Sequence, residues 1–319
     1  MLNKMRQMVR RDTTEVTNFS KIIKALQKNS IRIAYSTIAN QDCPVGCSKI
    51  GGKPDLPIGF EWFYYEGKAY TDDEGVYNES GVVKNRPLSF LAQINCEEVH
   101  EFDTEKVLPS KGMLYFFYEL EAMTWGFSPG DKGSARVYYY PEKASELYRT
   151  DFPSDLPNEY PKKYHLPEMA ISFSSKNDIP DFEEFAELYD GIEKLEHKVW
   201  IRLLNEYGTA REIPLYEDTP DERINKLLGY ANLVQGGMLM ECELTTSGIN
   251  TGSPDGYANI TAEQKEKAKN WRLLFQLDSI CTDDYEMLWG DMGRIYFYIK
   301  DEDLRNLNFE GCWLVLQCG

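Results

Sequence analysis

Three blocks of the chain recur in the same order, and this internal duplication constrains the fold more than any other feature of the sequence. Ile50-Gly51-Gly52-Lys53-Pro54-Asp55-Leu56-Pro57-Ile58-Gly59 is matched by Leu227-Leu228-Gly229-Tyr230-Ala231-Asn232-Leu233-Val234-Gln235-Gly236 at an offset of 177. Leu91-Ala92-Gln93-Ile94-Asn95 is matched by Leu274-Phe275-Gln276-Leu277-Asp278 at 183, and Gly112–Phe117 by Gly293–Tyr298 at 181. An aromatic or aliphatic strand closes each unit, Arg136–Tyr140 in the first and Trp313–Gln317 in the second. Within one domain this gives an N-terminal helix–strand arm (1–49), a first unit (50–140), a helical insert (141–226) and a second unit (227–319).

Each unit supplies several strands and only short helices, so the expected class is α+β with mostly antiparallel sheets and a pseudo-two-fold relation between the units. The strands around Gln93 and Gln276 are apolar apart from the glutamine, as expected where both faces are covered. Helical periodicity with Val16, Phe19, Ile22, Ile23 and Leu26 on one face predicts a helix from Glu15 to Lys28, followed by a strand over Ile31–Ile38. Thr219-Pro220-Asp221-Glu222 predicts a capped helix ending at Gly229, and Thr261-Ala262-Glu263-Gln264 predicts another before Lys265–Asn270. Phe182, Phe185 and Leu188, followed by Ile192, Leu195 and Val199, suggest a broken helical stretch.

Charge and cysteine usage narrow the setting. The formal charge is 35 − 52 = −17, which repels phosphate backbones and anionic lipid and favours a cationic partner. Nucleic acid and membrane are therefore not expected partners. The seven cysteines are odd in number and lie mostly in apolar runs, as buried thiols of a reducing compartment do. With no apolar signal segment at the start and no span-length apolar run, the expectation is a cytoplasmic protein.

The same residues carry a family likeness. Gly-Gly-x-Pro-x-Leu-Pro at 51–57, Phe-Leu-Ala-Gln-Ile at 90–94, Leu-Pro-x-x-Gly-x-Leu-x-Phe-Phe at 108–117, Trp-x-Leu-Leu-x-Gln-x-Asp-Ser at 271–279 and Trp-Gly-Asp-x-Gly-Arg-x-Tyr-Phe at 289–297 resemble the YwqG-like family, also called the DUF1963 domain. Two positions depart from its usual pattern: Trp62 is followed by Phe63 rather than proline, and Lys226 stands where relatives often carry histidine. The resemblance implies an α+β bacterial cytoplasmic protein and brings no activity with it.

The candidate site residues are Gln93, Gln276, Asp278, Asp291, Arg136 and Arg294. The two glutamines sit at the centre of equivalent apolar strands, where an amide must find partners. They either line a ligand cleft between the units or satisfy the backbone of adjacent loops. Asp278 and Asp291, with Asp283 and Asp284, surround Trp289-Gly290, and Asn95, Glu97 and Glu98 occupy related places. Such oxygens could gather a hard cation, but their spacing matches no defined loop, and no metal or cofactor is expected. Arg136 and Arg294 lie near aromatic strands and either clamp an anion or pair with a carboxylate. Cys43-x3-Cys47 fits neither a redox pair nor half a zinc site. Only three histidines are present, and no catalytic signature accompanies them. Two functions are therefore weighed beside a purely structural or scaffold role. One is a non-catalytic binding protein with an acidic, aromatic surface, immunity- or antitoxin-like, taking a basic protein partner. The other is a small-ligand or metal binder, or an enzyme, with a cleft between the units.

Overall fold

The computed structural model describes residues 25–36, 43–68, 83–156, 165–188, 224–282 and 285–319. In chain order the strands are β1 (Lys28–Ser36), β2 (Lys49–Ile50), β3 (Asp55–Pro57), β4 (Tyr64–Lys68), β5 (Val83–Pro87), β6 (Ser89–Asn95), β7 (Met113–Tyr118) and β8 (Ala135–Tyr140). Then come β9 (Leu147–Arg149), β10 (Met169–Asp178), β11 (Asn225–Leu228), β12 (Trp271–Asp278), β13 (Ile280–Cys281), β14 (Glu286–Met287), β15 (Arg294–Lys300) and β16 (Trp313–Gln317). Among the described residues the helices are short: α1 (Cys96–Val99), α2 (Phe182–Leu188), α3 (Leu239–Thr246), α4 (Ala262–Ala268) and α5 (Asp301–Arg305).

Among the described residues, ten strands make one antiparallel sheet in the order β16-β15-β12-β11-β1-β10-β2-β6-β7-β8, and three two-stranded ribbons flank it. At its middle β1 pairs with β10 from Lys28↔Asp178 to Ser36↔Ala170. The sheet rolls until its two edges nearly meet. The Leu316 amide donates to the Trp125 carbonyl at 3.0 Å, the Trp313 indole donates to the Gly126 carbonyl at 2.8 Å, and the Tyr139 and Phe309 rings lie 5.5 Å apart.

Strand alternation explains why these sequences are apolar throughout. Along β7, Leu114, Phe116 and Tyr118 point into the roll, while Met113, Tyr115 and Phe117 point outward. Along β15, Ile295, Phe297 and Ile299 point in, and Tyr296 and Tyr298 point out. The inward residues of both halves form one core, where Phe116 meets Phe275 at 4.4 Å and Phe297 at 5.2 Å between ring centroids. Outside, α3 covers Trp271, Tyr298 and Trp313, and the 56–65 segment covers Phe90, Tyr115 and Phe117. With both faces dry, the alternating polar residues of an exposed sheet have no place.

Several expectations need correction. Lys28 and Asn29 begin β1 rather than ending a helix, and the rest of the predicted 15–28 helix lies almost wholly outside the described residues. Residues 225–228, expected to be helical, form β11 because Lys226 pairs with Gln276 of β12 and with Arg32 of β1. Tertiary pairing overrides the local signal there; the Thr219 cap lies outside the described residues. The 141–226 segment, expected as a helical insert, contributes the ten-residue strand β10. By contrast, the Thr261 capping box forms as expected: Thr261 Oγ1 accepts from the Gln264 amide at 3.2 Å, and Gln264 Oε1 accepts from the Thr261 amide at 2.9 Å.

Candidate functional site

Gln93 and Gln276 are fully buried and make corresponding bonds. Gln93 Oε1 accepts from the Asp55 amide at 2.8 Å and its Nε2 donates to the Cys47 carbonyl at 2.8 Å. Gln276 Oε1 accepts from the Asn232 amide at 2.9 Å and its Nε2 donates to the Ile224 carbonyl at 2.6 Å. Tyr115 and Tyr296 donate their hydroxyls to the carbonyls of Asp55 and Asn232. Each glutamine thus pins a loop against its strand, and neither borders the cleft described below.

Asp278 and Arg294 are committed to each other, with Arg294 Nε 2.7 Å from Asp278 Oδ2. Asp278 also accepts from the Ile224 amide at 3.2 Å, and Arg294 donates to the Asn232 carbonyl at 3.0 Å. Asp291 is exposed in the turn before β15, where its backbone carbonyl accepts from the Gly319 amide. Asp283 and Asp284 lie outside the described residues. Among the described residues no three His, Cys, Asp or Glu side chains converge as a metal site would require. Asn95 caps α1, and Glu98 accepts from the Ser48 amide. Cys43 and Cys47 share a hydrogen bond, and burial pushes the Cys47 thiol up to about 12.

Arg136 differs from Arg294. It stands on β8 opposite Phe117, on the outer face of the rolled sheet. Its guanidinium has no hydrogen bond or ion pair to any described residue, and it lines a cleft of about 400 Å³ over the seam where β8 approaches β16. One wall is the 129–136 turn and strand; the other is the end of α3 (245–248) with residues 310–314. Trp271 and Lys300 border it too. The buried Glu243 accepts from the Trp271 indole at 3.0 Å and pairs with Lys300 at 3.0 Å, and the ammonium lies 5.0 Å from the indole centroid. Cys312 lines the cleft as a neutral thiol, since burial pushes its pKa well above the ordinary value.

The sequence profile of the family described as Domain of unknown function (DUF1963) matches residues 48–318. The chain belongs to the DUF1963 family. No curated protein matches it. The match takes in both glutamine nodes and both walls of the cleft. The Lys226 ammonium is buried and bonds Asp178 at 2.5 Å; burial pushes its pKa down to about 8. Burial alone would raise Asp178, but Lys226 and Arg32 hold its carboxyl below the ordinary range.

Of the six candidate residues, the structure gathers Gln276, Asp278 and Arg294 around the backbone of Ile224 and Asn232, and it places only Arg136 on the cleft. Sequence reasoning missed Lys132, Glu243, Lys300 and Glu310. Nothing local links residue 136 to residues 246 or 312, because their proximity arises only when the sheet closes. No helix among the described residues is long and apolar enough to cross a membrane.

Proposed function

We propose that this DUF1963 protein is a non-catalytic binder that holds a small molecule in the cleft over the seam. One observation carries the reading: Arg136 presents a guanidinium with no partner among the described residues to a cleft of about 400 Å³, a size typical of ligand pockets. A planar fork of donors left without an acceptor in a concave site is suited to a polar ligand group. Binding is favoured over catalysis because the described lining supplies no histidine and its thiol is held neutral. The test is an NMR titration of the intact protein with a small-fragment library, followed at the indole N–H resonances of Trp271 and Trp313. Fragments that shift both resonances support the reading. A screen whose hits shift only other residues, or that yields none, removes it.

The two halves are further proposed to descend from one duplicated unit, related by an approximate two-fold axis through the β1–β10 pair and the seam. The strand order supports this, since β16-β15-β12-β11-β1 mirrors β8-β7-β6-β2-β10. So do the matching bonds of the two glutamines, the register shifts at Phe90/Ala92 and Leu273/Phe275, and the positive φ at residues 51–52 and 228–229. On this reading the cleft lies between the repeats.

A second reading, a protein partner, is favoured by an open aromatic groove of about 520 Å³ on the first half. Ile58 and Tyr148 on its rim are 82% and 55% exposed, and the charge of −17 would draw a basic partner. An immunity-like role fits that surface. Loss of a captured partner in Ile58→Asp, with fragment binding in the cleft unchanged, would separate the two readings.

A further inference from the structure

Resting on the cleft reading, we infer that the ligand is a zwitterion of amino-acid or dipeptide size, its carboxylate held by Arg136 and its ammonium by the opposite wall. The inference comes from which charges around the cleft are already committed. Asp131 accepts from the Gly126 and Ser128 amides at 3.0 and 3.4 Å. Asp303 accepts from the Asn308 side chain at 2.7 Å, and Lys300 is paired with Glu243 at 3.0 Å. Three charges remain without a partner among the described residues. Lys132 and Arg136 belong to the β8 wall, and Glu310 belongs to the opposite wall.

The end of α3 deepens the same polarity. Its C-terminal turn, Thr245–Gly248, borders the cleft, and a helix C-terminus carries partial negative charge that favours a cation. One wall therefore offers uncommitted positive charge, and the facing wall offers an uncommitted carboxylate and a helix C-terminus. A simple anion would meet Glu310 and the helix end unfavourably, and a simple cation would meet Lys132 and Arg136. A molecule carrying both charges satisfies both walls. Its apolar part would rest on Pro129, Leu314 and the indole of Trp313, which also line the space.

The test is a titration of the full chain with L-alanyl-L-phenylalanine, its N-acetyl derivative and its C-terminal amide, read at the Trp271 and Trp313 indole N–H signals. The free dipeptide is expected to shift both signals. Removing either terminal charge should weaken binding tenfold or more, the size of one lost charge-assisted contact. Arg136→Met should weaken the free dipeptide at least tenfold, and Arg136→Lys should restore part of that loss. Glu310→Gln should weaken the free dipeptide and leave the N-acetyl form unaffected. An N-acetyl form that binds as well as the free dipeptide overturns the inference. So does silence of the dipeptide at both indoles while library fragments still shift them, which leaves the cleft reading standing. Silence of both the dipeptide and the fragments ends both.

Discussion

Arg136 and Arg294 are the same residue type on aromatic strands of one sheet, yet their surroundings set them apart. Arg294 has Asp278 at 2.7 Å and the Asn232 carbonyl at 3.0 Å, so its donors hold a loop. Arg136 has neither, and its donors meet no partner among the described residues. The glutamines belong with Arg294. Replacing Gln276 by leucine would strip a partner from the buried Asn232 amide and the Ile224 carbonyl. At about 1–3 kcal/mol for each orphaned group, the loss should be roughly 2–6 kcal/mol by urea denaturation; a loss under about 1 kcal/mol would mean that the loop re-pairs. Glu241 offers a pH-dependent counterpart. Burial first, and then the neighbouring Glu187, raise its carboxyl from 4.5 to about 7. Between those values the folded state keeps a proton that the unfolded chain has released, so stability present at low pH is lost as pH rises toward 7. Glu241→Gln should flatten that fall and stabilise the protein at pH 8 by on the order of 1 kcal/mol, measured as denaturation midpoints across pH 4 to 8. An unchanged slope would place the carboxyl in water.

At the scale of elements, the strands were the most legible part of the sequence. β6, β7, β8, β12, β15 and β16 fall where apolar runs and the recurring blocks put them, because two covered faces leave a continuous apolar signature. β11 was misread since four residues cannot display a period, and a preceding Thr-Pro-Asp-Glu run gave a stronger local signal than the pairing that decides the matter. β10 was missed for the opposite reason. Its sequence, MAISFSSKND, is mostly polar, because much of its surface stays outside the core. The Thr261 cap was read correctly since capping is local chemistry. Thr261→Ala should cost about 1 kcal/mol. Gly51→Ala should cost more than Gly248→Ala, although both have positive φ, +64° and +94°. A Cβ at 51 would lie 2.2 Å from the Pro167 carbonyl oxygen, whereas one at 248 meets nothing within 4 Å. Equal losses in paired thermal melts would contradict the tight approach of the 51–52 turn to residues 166–167.

At the scale of the whole molecule, the property that sequence does not display is closure. The blocks tell which strands resemble one another but not that β8 and β16 meet, and the cleft exists only because they do. Among the contacts that close the seam are the Leu316 amide to Trp125, the Trp313 indole to Gly126, and Tyr139 against Phe309. Trp313→Phe removes one of them while keeping an aromatic ring on the outer face. It should destabilise the fold by about 1–2 kcal/mol and speed exchange at residues 125–127 more than at β1 or β10. The most direct measurement is native-state hydrogen exchange at the Leu316 amide, whose acceptor lies across the seam. A closed sheet predicts protection there comparable to the interior amides of β15; exchange at the rate of an unpaired edge strand would mean that the edges stand apart and that no cleft forms between them.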